Sequence, residues 1–251
     1  MIVDTHAHLT SDAFKDDLDS VLMDARGKGV STIICVTEDL EECRYAMELK
    51  RRFPIIRVGA GLFPTVLHEE KAQNIIDYIA QHPEELACIG EVGLDFWKVK
   101  DEAKRGLQEE IFKGFIRISR ATGLPLNCHS RSAGRRTIEI LLAQDAQKVQ
   151  LHAFDARHGT ALQGEEAGFF FSIPPSVVRS RQKQKLVRAL SLDSFLVESD
   201  APVLGPEPTT RNVPGNVLVA LRAISEIKGE PLEKVREIIW ENCKKLYGKQ
   251  P

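Results

Sequence analysis

Six side chains of metal-ligand type stand where short apolar runs of this sequence end. His6 and His8 follow the first run, Glu91 the fourth, His129 the fifth, His152 the sixth and Asp200 the eighth. Imidazole nitrogen and carboxylate oxygen are the natural ligands of Zn, Mn, Fe and similar divalent ions. In an extended segment residues i and i+2 project to one side, so His6 and His8 can grip one ion together. A single His-x-His is weak, because short motifs recur by chance. His129 and His152 could equally be satisfied core histidines, Glu91 a capping or salt-bridging carboxylate, and Asp200 an N-cap before Ala201–Pro202. These ordinary roles do not explain why all six would fall at strand ends. Of the seven histidines, the other three are His68 and His82, read as surface residues, and His158, which follows the sixth run and is left unassigned.

The positioning elements follow from hydrophobic period. Strand-like runs are Met1–Val3, Thr32–Val36, Ile55–Val58, Ala87–Ile89, Leu124–Cys128, Lys148–Leu151, Gly168–Ser172 and Ser194–Val197. Helical spacing marks Asp16–Lys28, Leu40–Arg52, Ala72–Gln81, Ala103–Thr122, Gly134–Leu142, Gln182–Leu190, Val217–Lys228 and Leu232–Tyr247. Alternating strands and helices without a linker leave a (β/α)8 TIM barrel or an open doubly wound sheet. A barrel brings all six residues to its C-terminal rim, where such enzymes work; an open sheet would spread them along an edge. The expectation is therefore one barrel over residues 1–251.

Composition sets the outer bounds. The formal net charge of −2 argues against a surface coated for non-specific nucleic-acid binding. The five cysteines are odd in number and lack a C-x-x-C spacing, which reads as buried reduced thiols in an intracellular protein. No stretch reaches the roughly 18 apolar residues of a membrane helix. The expected location is cytoplasmic, or nuclear in a eukaryote, with no membrane partner; the oligomeric state stays open, a monomer included.

The strings DTHAH at 4–8, GEVGLDF at 90–96, NCHSRSAG at 127–134, LHAFD at 151–155, ESDAP at 198–202 and RNVP at 211–214 together resemble the TatD family. That family belongs to the amidohydrolase-type metal-dependent barrels and includes deoxyribonucleases. HSRSAGR and FSIPPS most resemble its third TatD-domain-containing subfamily. The resemblance implies two divalent ions, with Zn, Mg or Mn all open. It assigns His6 and His8 to the first ion, Glu91 to a bridge between both, His129 and His152 to the second, and Asp200 to the first ion and to general-base duty. Two cations about 3.5–4 Å apart can hold a hydroxide between them and stabilise entering and leaving oxygens. Asp95 and Arg131 are expected to orient ligands or substrate, and Arg157 and Arg211 to face the substrate, with Asn212 beside Arg211 in the RNVP string.

The sequence also departs from the family pattern. Phe63 in GLFP replaces the histidine of a G-x-H-P string, and HAFDA replaces HCFSG, adding Asp155 near the cleft; Arg157 could offset that charge. The basic run Arg179–Lys185 is read as a solvated helix start, with phosphate contact the alternative. The leading expectation is a hydrolase of DNA or another phosphodiester. A metal-dependent amidohydrolase, lactonase or esterase is the alternative, and a non-catalytic metal-binding protein the remaining one.

Overall fold

A computed structural model describes residues 1–248. Eight parallel strands form one sheet in sequence order: β1 (Ile2–Ala7), β2 (Val30–Val36), β3 (Ile56–Ala60), β4 (Cys88–Gly93), β5 (Leu126–His129), β6 (Val149–His152), β7 (Phe170–Ile173) and β8 (Phe195–Val197). Each neighbouring pair from β1–β2 through β7–β8 is parallel, as short connections through helices require. The helices are α1 (Leu18–Gly27), α2 (Leu40–Arg52), α3 (Glu69–Gln81), α4 (Glu102–Thr122), α5 (Gly134–Ala143), α6 (His158–Glu166), α7 (Arg181–Ala189), α8 (Val217–Lys228) and α9 (Leu232–Tyr247). This is the TIM-barrel architecture that the alternation predicts.

The barrel closes without a β8–β1 ladder. Thr5 Oγ1 donates to Val197 O at 3.0 Å and Ser199 N to Asp4 Oδ1 at 2.8 Å. Farther up, Asp200 N donates to His6 O at 2.8 Å and His8 N to Ala201 O at 2.8 Å. Three of the six ligand candidates, His6, His8 and Asp200, are thus backbone partners in the seam itself.

The strands are longer at their C-terminal ends than the apolar runs indicate. β1 continues through His6, β4 through Glu91, and β5 and β6 end on His129 and His152. Polar side chains at a barrel rim point inward while their backbone still pairs, so hydrophobicity stops before the strand does. The helix α6 has no counterpart in the sequence reading. Its inward residues are Ala161 and Gly164, too small to form an apolar stripe.

Capping agrees with the element boundaries. Asp39 accepts from Glu42 N at the start of α2, and Asp101 from Lys104 N at the start of α4. Between helices and sheet, Phe112, Phe115 and Ile116 of α4 are buried, each contributing on the order of 1.5–3 kcal/mol by burial. Inside the barrel the filling is partly polar. Tyr247 of α9 donates to Gln150 Oε1; Gln150 Nε2 donates to Ser172 Oγ at 2.8 Å and Thr5 Oγ1 at 3.0 Å. This network ties α9 to β1, β6 and β7 inside the barrel.

Candidate metal centre

All six ligand candidates meet at the rim. Glu91 is central, and its two oxygens face different partners. Oε1 lies 2.5 Å from His129 Nδ1 and 2.9 Å from His152 Nε2. Oε2 lies 3.5 Å from His8 Nε2 and 3.8 Å from His6 Nε2. Asp200 Oδ1 adds contacts of 3.6 Å to His6 Nε2 and 3.5 Å to His8 Nε2. The triads His6–Glu91–His152, His6–His8–Asp200 and His8–Glu38–Glu91 each bring one ligand atom per residue within 4.8 Å of the others, close enough to hold an ion.

Neighbouring groups fix which nitrogen each ring presents. Asn127 Nδ2 donates to Thr5 O at 2.9 Å, so its Oδ1, 2.8 Å from His6 Nδ1, must accept. His6 therefore carries its proton on Nδ1 and turns the Nε2 lone pair toward His8, 3.3 Å away. Asp95 Oδ2 sits 3.1 Å from His129 Nε2 and leaves Nδ1 facing Glu91. The His6 ring stacks on His152 with centroids 3.9 Å apart. Nδ1 atoms of His8 and His152 are buried without a hydrogen-bond partner.

The charges fit a cation. Burial alone would favour neutral groups, yet the surrounding histidines hold the Glu91 carboxyl well below its usual range. Burial likewise opposes charge on His129, but Glu91 and Asp95 push its pKa up to about 10; with Asp200 and Glu91, His8 rises to about 9. His6, buried beside His152, falls to about 3. Opposed shifts of this size within one cluster mark functional sites. Imidazole lone pairs aimed at buried carboxylate oxygens repel unless a proton or cation stands between them, and a divalent ion satisfies several at once. Asp200 holds φ at +52°, a left-handed conformation that costs roughly 1–2 kcal/mol. Two glycines permit the close approach: a Cβ on Gly61 would sit 2.4 Å from Glu91 O, and one on Gly93, at φ +140°, 2.1 Å from His129 O.

The centre floors a cavity of about 750 Å³, within the range of small-ligand sites. Phe63 lines it, its ring 5.2 Å from that of His129, with Val203 and Leu204 adding apolar wall.

A family model for TatD-related DNase matches residues 3–248. The chain belongs to the TatD family. Deoxyribonuclease TATDN3 of Homo sapiens is 40% identical over 261 aligned residues, covering 99% of this chain and 95% of that protein. A metal-dependent hydrolase of Methanocaldococcus jannaschii, MJ1582, is 30% identical, covering 99% and 97%. Among solved structures, the TatD homologue YJJV of Escherichia coli superposes with a TM-score of 0.90 at 21% identity, covering 98% and 97%.

In this TatD chain the expected substrate-facing residues divide. Arg131 lines the cavity, and Asp95 is buried against His129 rather than open to substrate. Arg211 is turned away: its guanidinium pairs with Asp17 at 2.6 Å and lies over Phe14. Asn212 is buried, donating to Ser199 O at 2.6 Å, and so braces the loop that carries Asp200. Arg157 is exposed at the start of α6 and does not line the cavity, whereas Asp155 does and accepts from backbone Ser132 N at 3.2 Å. His158 is likewise exposed.

Two residues escaped the sequence reading, and a third falls to the alternative it held open. Glu38 lines the cavity 4.0 Å from His8 Nδ1. Glu198 is buried behind His152, accepting from Ala153 N at 2.8 Å and Ser172 Oγ at 2.6 Å. Lys183, in the basic run read as a solvated helix start or a phosphate contact, lines the cavity and donates to Ala153 O at 2.8 Å. Its neighbours Arg181 and Lys185 are exposed, so the solvated reading fits them.

Proposed function

We propose that this barrel hydrolyses phosphodiester bonds of DNA with two divalent cations, bridged by Glu91. The carrying observation is the division of the Glu91 carboxylate, one oxygen facing His129 and His152, the other facing His6 and His8. On this reading His6, His8 and Asp200 hold the first ion, and His129 and His152 the second. Four imidazoles and two carboxylates suit Zn or Mn better than Mg, which prefers oxygen. Bound there, the ions would supply positive charge to the phosphoryl group and make attacking water more acidic.

The protein's own groups do the rest. Asp200, beside the imidazoles of His6 and His8, accepts the proton of the attacking water as general base. Arg131 and Lys183, on the β5 and β7 sides of the mouth, face the phosphate, the Arg fork matching two of its oxygens. Asp95 and Asn127 keep His129 and His6 in the required tautomers. The chain acts as one domain in a reducing, cytoplasmic or nuclear compartment, in line with its five buried free cysteines. No helix among the described residues is long and apolar enough to cross a membrane.

A second reading, hydrolysis of a small ester or lactone, draws on the apolar wall of Phe63, Val203 and Leu204. Purified protein of measured metal content, given single-stranded and duplex DNA beside a panel of esters and lactones, separates the two. Nucleotide release faster than ester turnover is expected. Faster lactone turnover with no nucleotide release would select the second reading.

A further inference from the structure

Trp97 is 54% exposed, in the loop between β4 and α4, immediately outside the cavity. The guanidinium of Arg131, itself a cavity residue, lies 5.2 Å from the indole centroid, and Lys100 Nζ 5.1 Å from it. Lys98 is exposed beside them. Arg131 and Lys100 thus both lie over a half-exposed indole, and a base that stacks there displaces them from the ring toward the phosphates beside it. The acidic groups Glu38 and Glu42 line the β2 side of the same mouth.

The loop is held rather than loose. Asp95 Oδ1 accepts from Lys98 N at 2.7 Å, Phe96 N donates to Arg131 O at 3.0 Å, and Arg105 Nε donates to Val99 O at 2.9 Å, with Val99 buried. Asp95 is also the partner of His129, so one carboxylate fixes both a metal-site ring and the turn that displays the indole. Around the mouth, Arg131 is the cation on the side of Trp97, with Glu38 and Glu42 on the β2 side and Asp155 on the β6 side.

We propose that Trp97 is a stacking platform for a nucleobase next to the scissile phosphate, with Arg131 on that phosphate and Lys100 on the flanking one. The inference rests on the phosphodiesterase reading and assigns a residue to it: the indole would hold an unpaired base beside the phosphate to be cleaved. Stacking is tolerant of base identity, so the platform positions the strand without selecting sequence.

Two arms test it. In the first, wild type, Trp97→Phe and Trp97→Ala are assayed on a single-stranded deoxyoligonucleotide and on a base-free tetrahydrofuran phosphodiester oligomer of equal length. Trp97→Ala should raise KM for the base-bearing strand by about 5- to 100-fold with kcat largely kept, leave the base-free oligomer unchanged, and be largely rescued by Phe. Equal loss on both oligomers, or no loss on either, overturns the platform. The second arm needs no turnover. The chain has two tryptophans, so Trp240→Phe leaves Trp97 as the sole indole emitter. With metal chelated, the base-bearing strand should quench its fluorescence and the base-free one should not; equal or absent quenching overturns the proposal. If wild type cleaves neither oligomer the phosphodiesterase reading falls, and the fluorescence arm still decides the stacking.

Discussion

Asp95 Oδ2 lies 3.1 Å from His129 Nε2, and this contact decides that His129 presents Nδ1 to Glu91. The carboxylate is buried and bonded to one ring edge, so the imidazole cannot flip without stranding a charge. A residue that touches neither reacting atoms nor solvent thereby sets the direction of a metal-type lone pair.

Asp95→Asn should lower affinity for divalent metal by about 10- to 100-fold while the fold persists, since outer partners of ligating histidines typically carry that much. Titration of metal-stripped protein by calorimetry reads it directly. Unchanged affinity would remove Asp95 from the centre.

Asp200→Asn keeps the side-chain size and removes the proton acceptor. Loss of kcat by about 10²- to 10⁴-fold is expected on a phosphodiester, the usual share of general-base catalysis. Steady-state kinetics at saturating metal checks it.

Gly93→Ala would place a methyl 2.1 Å from His129 O at a φ of +140°. Strain and clash together should cost about 2–5 kcal/mol and displace His129. Denaturant unfolding measures the first, metal titration the second.

All five thiols are buried, and burial pushes Cys35 and Cys243 up to about 12 and Cys43 up to about 11. A disulfide reagent should label none in native protein at pH 8 and five after denaturation. Raised folded-state values favour the neutral form, so their contribution to stability is complete below the ordinary thiol value near 9.0 and is lost as pH rises from there. Melting temperature should fall from about pH 9 upward.

Arg211→Ala should leave kcat/KM within about twofold, because Arg211 is paired with exposed Asp17 and turned from the cavity. A loss of tenfold or more on the same phosphodiester would return it to the site.

The barrel and the ligand set were legible in the sequence because strands and helices alternate and metal-type side chains recur at the C-terminal ends of the strands. His6, Glu91, His129 and His152 stand out by that shared position, although Asp4, Thr5, Asn127 and Gln150 precede them as buried polar residues in the same strands. The rest escaped for local reasons. Helix α6 buries Ala161 and Gly164, so no apolar period announces it. Arg211 and Arg157 were placed by proximity in sequence to rim motifs, but a loop side chain's direction is set by neighbours such as Asp17 that spacing does not encode. Lys183 hid in a run of exposed bases, although its single turn of α7 aims it inward. Glu198 was masked by Asp200, two residues on in the same motif.

The seam joining the segment after β8 to β1 also imposes an order of assembly. The first histidines leave the ribosome early, whereas Ser199, Asp200 and Ala201, which bond to Asp4, His6 and His8, emerge almost 200 residues later. Asp200 is the last of the six candidates to be made, and β1 gains these backbone partners only once the segment after β8 has been synthesised.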